Sequence, residues 1–85
     1  MSTQTEKSRY IAIAAEQLIA ICRDSKTLGF SDAEDARIRA IGFDLNRRGG
    51  WNAMSDAHEI VDKTLGKLIA YDVERSWHGI GNWLL

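Results

Sequence analysis

The stretch LNRRGGWNAM, residues 45–54, decides how this chain folds because two adjacent glycines interrupt a long helical pattern. Basic residues are favoured in the last turn of a helix, where they complement the helix dipole, and glycine is favoured just beyond that turn. Arg47 and Arg48 stand directly before the glycine pair and Trp51 directly after it. We therefore predict that one helix stops here and another starts, with Trp51 packed under the corner.

A second interpretation makes the same stretch an anion site. Arg47 and Arg48 would supply the charge, the glycines would let the backbone approach the anion, and the next helix would offer its amide end. A nucleotide-binding Walker loop is excluded, because its glycine spacing and its Lys-Ser/Thr pair are missing. The helix stop explains every residue of the stretch and is preferred, and the anion site is kept as the alternative.

The helix before this stretch has a clear start and an unusual surface. In SDAE, residues 31–34, the Ser31 side chain can accept the Glu34 amide while Glu34 reaches back to the Ser31 amide, which is a capping box. We predict a helix from there to Arg48. Its apolar residues form two strips, one of Ile38, Ile41 and Leu45 and another of Ala36, Ala40 and Phe43. Two strips indicate a helix between two neighbours, one of which could be another subunit.

Helical periodicity also covers residues 5–28, 52–65 and 67–78, and glycines follow the first two of these segments, at Gly29 and Gly66. No strand-like alternation of useful length is present. We predict an all-α fold, a compact antiparallel bundle of about four helices joined by short Gly-containing turns.

The 85 residues suffice for one domain, 1–85, in which we expect residues 1–5 to be disordered. Hydrophobic residues make up 45% and charged residues 27% of the chain, and the net charge of −1 gives no reason to expect nucleic acid or an anionic membrane as the main partner. The one cysteine, Cys22, cannot form an internal disulfide and indicates a reducing, cytoplasmic location. Glu16 and Gln17 interrupt the first apolar stretch, which argues against a signal peptide and a membrane span.

Catalytic and metal chemistry find little support in the residue types. His58 and Asp62 are one helical turn apart, a workable pair of metal ligands, but two ligands do not make a site. Cys22 falls in an apolar stripe and is interpreted as a core residue. No nucleophile is paired with a base and an orienting group. We therefore predict no catalytic residue, no metal and no cofactor.

A helix-turn-helix protein that binds nucleic acid is the alternative from another functional class. Its phosphate contacts would come from four arginines, Arg37, Arg39, Arg47 and Arg48. The helix that would enter the groove carries Asp56, Glu59 and Asp62 on its exposed face instead of arginine. Such a face repels phosphates, so nucleic acid is the less favoured partner.

The C-terminal stretch SWHGIGNWLL, residues 76–85, is too apolar to remain exposed. In one interpretation it folds back and closes the core. In the other, its aromatic residues anchor an interface, where tryptophan is enriched, and both could hold together in a dimer. The interface candidates along the chain are Phe43, Trp51, Trp77, Ile80 and Trp83.

The runs IRAIGFDLNRRGGWNAM, residues 38–54, and ERSWHGIGNW, residues 74–83, resemble segments of small bacterial helical proteins that have no known function. The shared features are an Ile-Arg-x-Ile-Gly segment, an Arg-Gly-Gly turn before a methionine and a Trp-x-Gly-Ile-Gly-x-Trp ending. The resemblance covers about the last two thirds of the chain and does not extend to the first helix. It implies a bacterial, all-helical domain and brings no activity, substrate or cofactor.

Together these patterns predict a small non-enzymatic protein-interaction module. Its partner would be a second copy of itself, in a homodimer, or another protein. The double-striped second helix and the three tryptophans in so short a chain support this prediction. The second apolar strip and the aromatic tail would form the interface.

Overall fold

Helices make up most of what the computed structural model describes, which is residues 3–25 and 29–83, with side chains from residue 6 onward. The elements in chain order are α1 (Thr3–Asp24), α2 (Asp32–Leu65) and α3 (Lys67–Trp77). These described residues contain no strand, which confirms the predicted all-α class. They form three helices rather than about four, because α2 continues through the glycine pair.

The long helix α2 is kinked at the glycine pair. Gly50 has φ 68° and ψ −158°, a backbone conformation open almost only to glycine, and helical geometry resumes at Trp51. The helix therefore has an N-terminal arm, residues 32–49, and a C-terminal arm, residues 51–65. The sequence located the interruption correctly, but the expected stop between two helices is a kink within one.

The start of α2 is capped as predicted. Ser31 Oγ accepts a hydrogen bond from the Glu34 amide at 3.2 Å, and Glu34 Oε1 accepts one from the Ser31 amide at 2.8 Å. These two bonds are the predicted capping box. Glu34 Oε1 also accepts a hydrogen bond from Ser25 Oγ at 3.2 Å. The cap therefore joins the start of α2 to the residue that follows α1.

The two ends of α1 differ from the sequence prediction. The helix begins at Thr3, so the backbone of residues 3–5, which we expected to be disordered, is helical. Residues 1 and 2 lie outside the described residues. The helix ends at Asp24, before its predicted end at residue 28, which also lies outside them.

The core forms around α2, since α1 and α3 both pack against it. The inward faces are the apolar stripes that a period of 3.6 residues predicts. The largest fully buried side chains are Trp77, Leu18, Ile38, Leu45, Met54, Ile80, Val61 and Val73. They come from all three helices and from the segment after α3, so one core serves the described chain.

The segment after α3 folds back and closes this core, as the first of its two interpretations predicted. Trp77 and Ile80 are fully buried and Trp83 is 6% exposed. The Trp83 amide donates to the Ile80 carbonyl at 2.9 Å, and the Gly79 amide donates to the Trp83 carbonyl at 2.8 Å. Residues 84 and 85 of the tail lie outside the described residues. Trp77, Ile80 and Trp83 are therefore core residues within the chain, and their predicted role in an interface stays a prediction.

Candidate interaction surface

An exposed stripe runs along the N-terminal arm of α2, opposite its buried face. We call it the outer stripe, and its members are Asp32, Ala36, Ala40, Phe43 and Arg47. At 3.6 residues per turn these positions fall within about 80° of arc, centred opposite Leu45. Phe43 is 53% exposed, whereas Ile38 and Leu45 on the far side are 0% and 1% exposed. Of the two strips predicted for this helix, one lies in the core and the other faces outward.

Arg39 braces the aromatic side chain of the outer stripe. Its guanidinium carbon lies 5.5 Å from the centre of the Phe43 ring, which is a cation–π contact. The same guanidinium donates to the backbone carbonyls of Ser76 and His78, at 2.5 Å and 3.3 Å. Carbonyls at a helix end lack partners within the helix, so Arg39 caps α3 while it contacts Phe43. This contact between helices was not foreseen from the sequence.

The outer stripe borders a shallow depression of about 430 Å³. Its lining residues are Asp32, Asp35, Ala36, Arg39, Ala40 and Phe43. Because Ala36 and Ala40 are exposed and small, another helix can approach the backbone of α2 closely at this place. The depression lies beside the projecting ring of Phe43 and is widely open to solvent.

The inner face of the same arm holds Trp77. The indole Nε1 of Trp77 donates to the Ile38 carbonyl at 2.9 Å. A Cβ atom added to Gly42 would lie 2.6 Å from this nitrogen, so only glycine leaves room for the indole. This role of Gly42 was not predicted from the sequence. The available signal was a lone glycine inside a helical pattern, which marks a close packing contact when it is not a helix end.

The two arginines of the predicted anion site share one acidic partner. The carboxylate of Asp44 lies 2.5 Å from a guanidinium nitrogen of Arg47 and 3.1 Å from one of Arg48. The hydrogen bond from Arg47, with a further contribution from Arg48, holds the pKa of Asp44 below its ordinary value. Arg48 also lies over the Tyr10 ring, 5.5 Å from its centre. Asp44 therefore offsets much of the positive charge that an anion would require.

Trp51 occupies a different environment from the other two tryptophans. Its ring stacks on Trp83 with the centroids 5.8 Å apart, yet it remains 48% exposed. Trp83 in turn meets Trp77 edge-on at 5.3 Å. Trp51 thus covers the outside of an aromatic cluster instead of packing under the corner as predicted. Among the described residues, the other large apolar side chains that are exposed are Ile13, Ile60, Leu68 and Tyr71.

His58, half of the suggested metal-ligand pair, is engaged with α3. Its Nε2 lies 3.1 Å from the Ala70 carbonyl and 3.6 Å from a carboxylate oxygen of Glu74. Over residues 3–25 and 29–83, no group of three or more histidine, cysteine, aspartate or glutamate side chains is arranged to hold a metal ion. The ring of His58 therefore serves the packing of α3 against α2.

Cys22 is a core residue, as the sequence predicted. It is 8% exposed, and burial, followed by the nearby charges of Asp72 and Glu34, raises the pKa of its thiol to about 11. The thiol is therefore protonated at neutral pH, and the protonated form is a poor nucleophile.

Within the described part of the chain, every helix is too short or too polar to cross a membrane. Comparison with models of protein families, with curated proteins and with solved structures finds no match for this chain. The resemblance to small bacterial helical proteins therefore stays a prediction.

Proposed function

We propose that this chain is a non-enzymatic protein-interaction module that self-associates through the outer stripe of α2. The observation that carries the proposal is Phe43, an aromatic side chain that is 53% exposed on the face directly opposite the core. Aromatic side chains are enriched among the residues that anchor protein interfaces, and an exposed phenyl ring beside small residues fits that role.

The surroundings of Phe43 fit an anchor of this kind. Arg39 restrains the ring from one side, so little side-chain entropy is lost when a partner covers it. Two alanines on the same stripe, Ala36 and Ala40, allow a second helix to come close. We place the interface here and not at Trp51, because Phe43 lies beside exposed small residues on one stripe, whereas Trp51 stacks on Trp83 of its own chain.

The nucleic-acid alternative has weaker support from the placement of its arginines. Arg47 and Arg48 are paired with Asp44, and Arg39 is directed toward the end of α3. Arg37 is exposed and lies eleven positions, about three helical turns, from Arg48. Four cations in these positions do not make the continuous basic face that binds phosphates. A gel shift with duplex DNA and with RNA at low salt tests this alternative, and binding that weakens steeply with salt would favour it.

The setting we propose is the cytoplasm of a bacterium, with a second copy or another protein as partner. The cytoplasmic location is supported by the lone buried thiol of Cys22, which has no other cysteine to pair with. The bacterial source is supported by the resemblance of residues 38–54 and 74–83 described above.

Sedimentation velocity over a range from low to high micromolar concentration tests the proposal. The wild-type chain is expected to shift from monomer to dimer within this range. Phe43→Glu is expected to weaken association by at least about tenfold, since an aromatic anchor contributes more than about 1.4 kcal/mol. Leu68→Glu is the matched control, because Leu68 is 86% exposed but lies on α3.

Three results would contradict the proposal. A wild-type chain that stays monomeric at high micromolar concentration removes self-association. Loss of the dimer in Leu68→Glu, with Phe43→Glu unaffected, moves the interface to α3. Equal loss in both variants shows that added charge alone disturbs association. Circular dichroism confirms that each variant is folded.

A further inference from the structure

We infer that the second copy docks antiparallel on the outer stripe, with a twofold axis beside Ala40. This inference rests on the proposed self-association and specifies its geometry. The order of residue types along the stripe supports it: acidic Asp32, small Ala36 and Ala40, large Phe43 and basic Arg47. Read from the other end, this order is complementary to itself, because the acidic end meets the basic end and a small residue meets the large one.

The spacing of the stripe matches an antiparallel register. Asp32 lies eight positions before Ala40 and Arg47 lies seven after it, while Ala36 lies four before and Phe43 three after. Two antiparallel copies crossing at Ala40 therefore place Asp32 opposite the partner's Arg47 and Ala36 opposite the partner's Phe43. The mismatch of one position corresponds to about 1.5 Å along a helix, within reach of these side chains.

Charge selects this orientation over a parallel one. The first turn of α2 is acidic, with Asp32, Glu34 and Asp35, and its N-terminal arm ends with two arginines. A parallel pair would bring acidic ends together and basic ends together, whereas an antiparallel pair matches opposite charges and opposes the helix dipoles. The net charge of −1 adds no general repulsion between two copies.

A pair of oppositely charged residues beside the outer stripe also matches in the antiparallel arrangement. Arg37 lies three positions before Ala40 and Asp44 lies four after it, within about 20° of each other on the helix surface. In an antiparallel helix pair like flanks meet, so Arg37 faces the partner's Asp44. Asp44 now binds Arg47 and Arg48 in exposed contacts, which are weak enough to rearrange when a partner arrives.

The shape of the outer stripe also favours the antiparallel arrangement. The partner's Phe43 would lie over Ala36 in the depression along the stripe, and by symmetry the reverse contact forms as well. Asp32 and Arg47 are separated by about 22 Å of helix, so the contact involves one helix from each copy. A single pair of helices of this length buries less than the roughly 1,200 Å² typical of stable complexes. The dimer is therefore expected to be weak, dissociating at micromolar concentrations.

Charge reversal tests the pairing. Asp32→Lys and Arg47→Glu each place like charges at both ends of the homodimer and are expected to weaken it by about tenfold. A mixture of the two variants restores opposite charges at both ends, so the mixed dimer is expected to form with wild-type affinity. Glu59→Lys on the C-terminal arm, also an exposed charge reversal, is the matched control and is expected to leave the dimer unchanged.

Engineered cysteines test the orientation, with the buried Cys22 replaced by alanine in the background. Ala40→Cys is expected to form a disulfide-linked dimer under mild oxidation. Asp32→Cys alone is expected not to, whereas its mixture with Arg47→Cys is. Crosslinking of Asp32→Cys with itself would indicate a parallel pair and overturn the inference.

The outcomes separate this inference from the proposed function. If the wild-type chain dimerises but the charge reversals and the Ala40→Cys variant have no effect, the antiparallel pairing is wrong and self-association stands. If the wild-type chain does not dimerise, both fail. The Phe43→Glu variant then has no dimer to disturb.

Discussion

Trp77, from α3, packs against the inner face of the N-terminal arm of α2, whereas Phe43 projects from the outer face of the same arm. The arm provides the Ile38 carbonyl as hydrogen-bond acceptor for the Trp77 indole, and the absence of a side chain at Gly42 leaves room for the ring. The Phe43 ring has a cation–π contact with Arg39, and about half of the side chain remains exposed. The buried aromatic residue has a space and a hydrogen bond prepared for it, whereas the exposed one is held only by a neighbouring cation.

The largest expected effect is the difference in stability between truncating Trp77 and truncating Phe43. Trp77→Ala is expected to lower the free energy of unfolding by about 3–5 kcal/mol, because it leaves a large cavity in the core. Phe43→Ala is expected to change it by less than about 0.5 kcal/mol, because the ring is on the surface. Urea unfolding followed by circular dichroism measures both, at concentrations low enough that the chain is monomeric.

If Phe43→Ala lowered the free energy of unfolding as much as Trp77→Ala, the contrast between the two residues would be wrong, because Phe43 would then support the fold directly. If Trp77→Ala does not fold, Trp77→Phe provides a smaller change at the same site. Trp51→Ala gives an intermediate reference, since its ring is half exposed and stacked on Trp83.

The second effect concerns the space left for the indole. Gly42→Ala is expected to destabilise the fold by about 1–2 kcal/mol, because overpacking outweighs the gain of about 1 kcal/mol from alanine in a helix. The added Cβ meets Nε1 and Cδ1 of Trp77, which is fully buried and has no room to move. Thermal or urea unfolding of this variant measures the cost.

A double-mutant cycle tests whether the loss of stability in Gly42→Ala comes from the contact with Trp77. In a Trp77→Phe background the contact atoms of the indole five-membered ring are gone, so Gly42→Ala is expected to cost less there. The same cost in both backgrounds would mean that the contact with Trp77 is not the cause.

The smallest effect is electrostatic and appears only in acid. The backbone hydrogen bond from Ser31, aided by hydroxyl contacts from Ser31 and Ser25, lowers the pKa of Glu34 below its ordinary value of 4.5. The ionised carboxylate therefore stabilises the fold above pH 4.5, and this contribution is lost as the pH falls through the lowered pKa. Asp44 acts in the same direction, since Arg47 and Arg48 lower its pKa as well.

Unfolding measured from neutral to acid pH tests this expectation. The free energy of unfolding is expected to fall in acid, with a shallower slope in Glu34→Gln than in the wild type. Trp77→Phe is the control, because the hydrogen bond from Trp77 to Ile38 does not titrate, and its slope is expected to equal that of the wild type. An unchanged slope in Glu34→Gln would show that the capping carboxylate does not contribute.

Local patterns predicted much of the fold. The capping box at Ser31, the apolar face of α1, the break at Gly66 and the burial of Cys22 follow from residues close together in the sequence. The candidate surface was predicted in part, because the second strip of α2 contains Phe43 and is exposed. The sequence did not decide whether Trp77, Ile80 and Trp83 belong to the core or to an interface, since an apolar tail can occupy either place.

The amino-acid sequence by itself determined where helices start and break and which face of each is apolar. Those features depend on hydrogen bonds and side-chain periods that span only a few residues. Tertiary structure alone decided that Gly50 kinks α2 instead of ending it, that Gly42 accommodates Trp77, and that Arg39 joins α3 to Phe43. Each of these depends on atoms more than thirty positions apart in the chain or on how two helix arms pack, which no local pattern encodes.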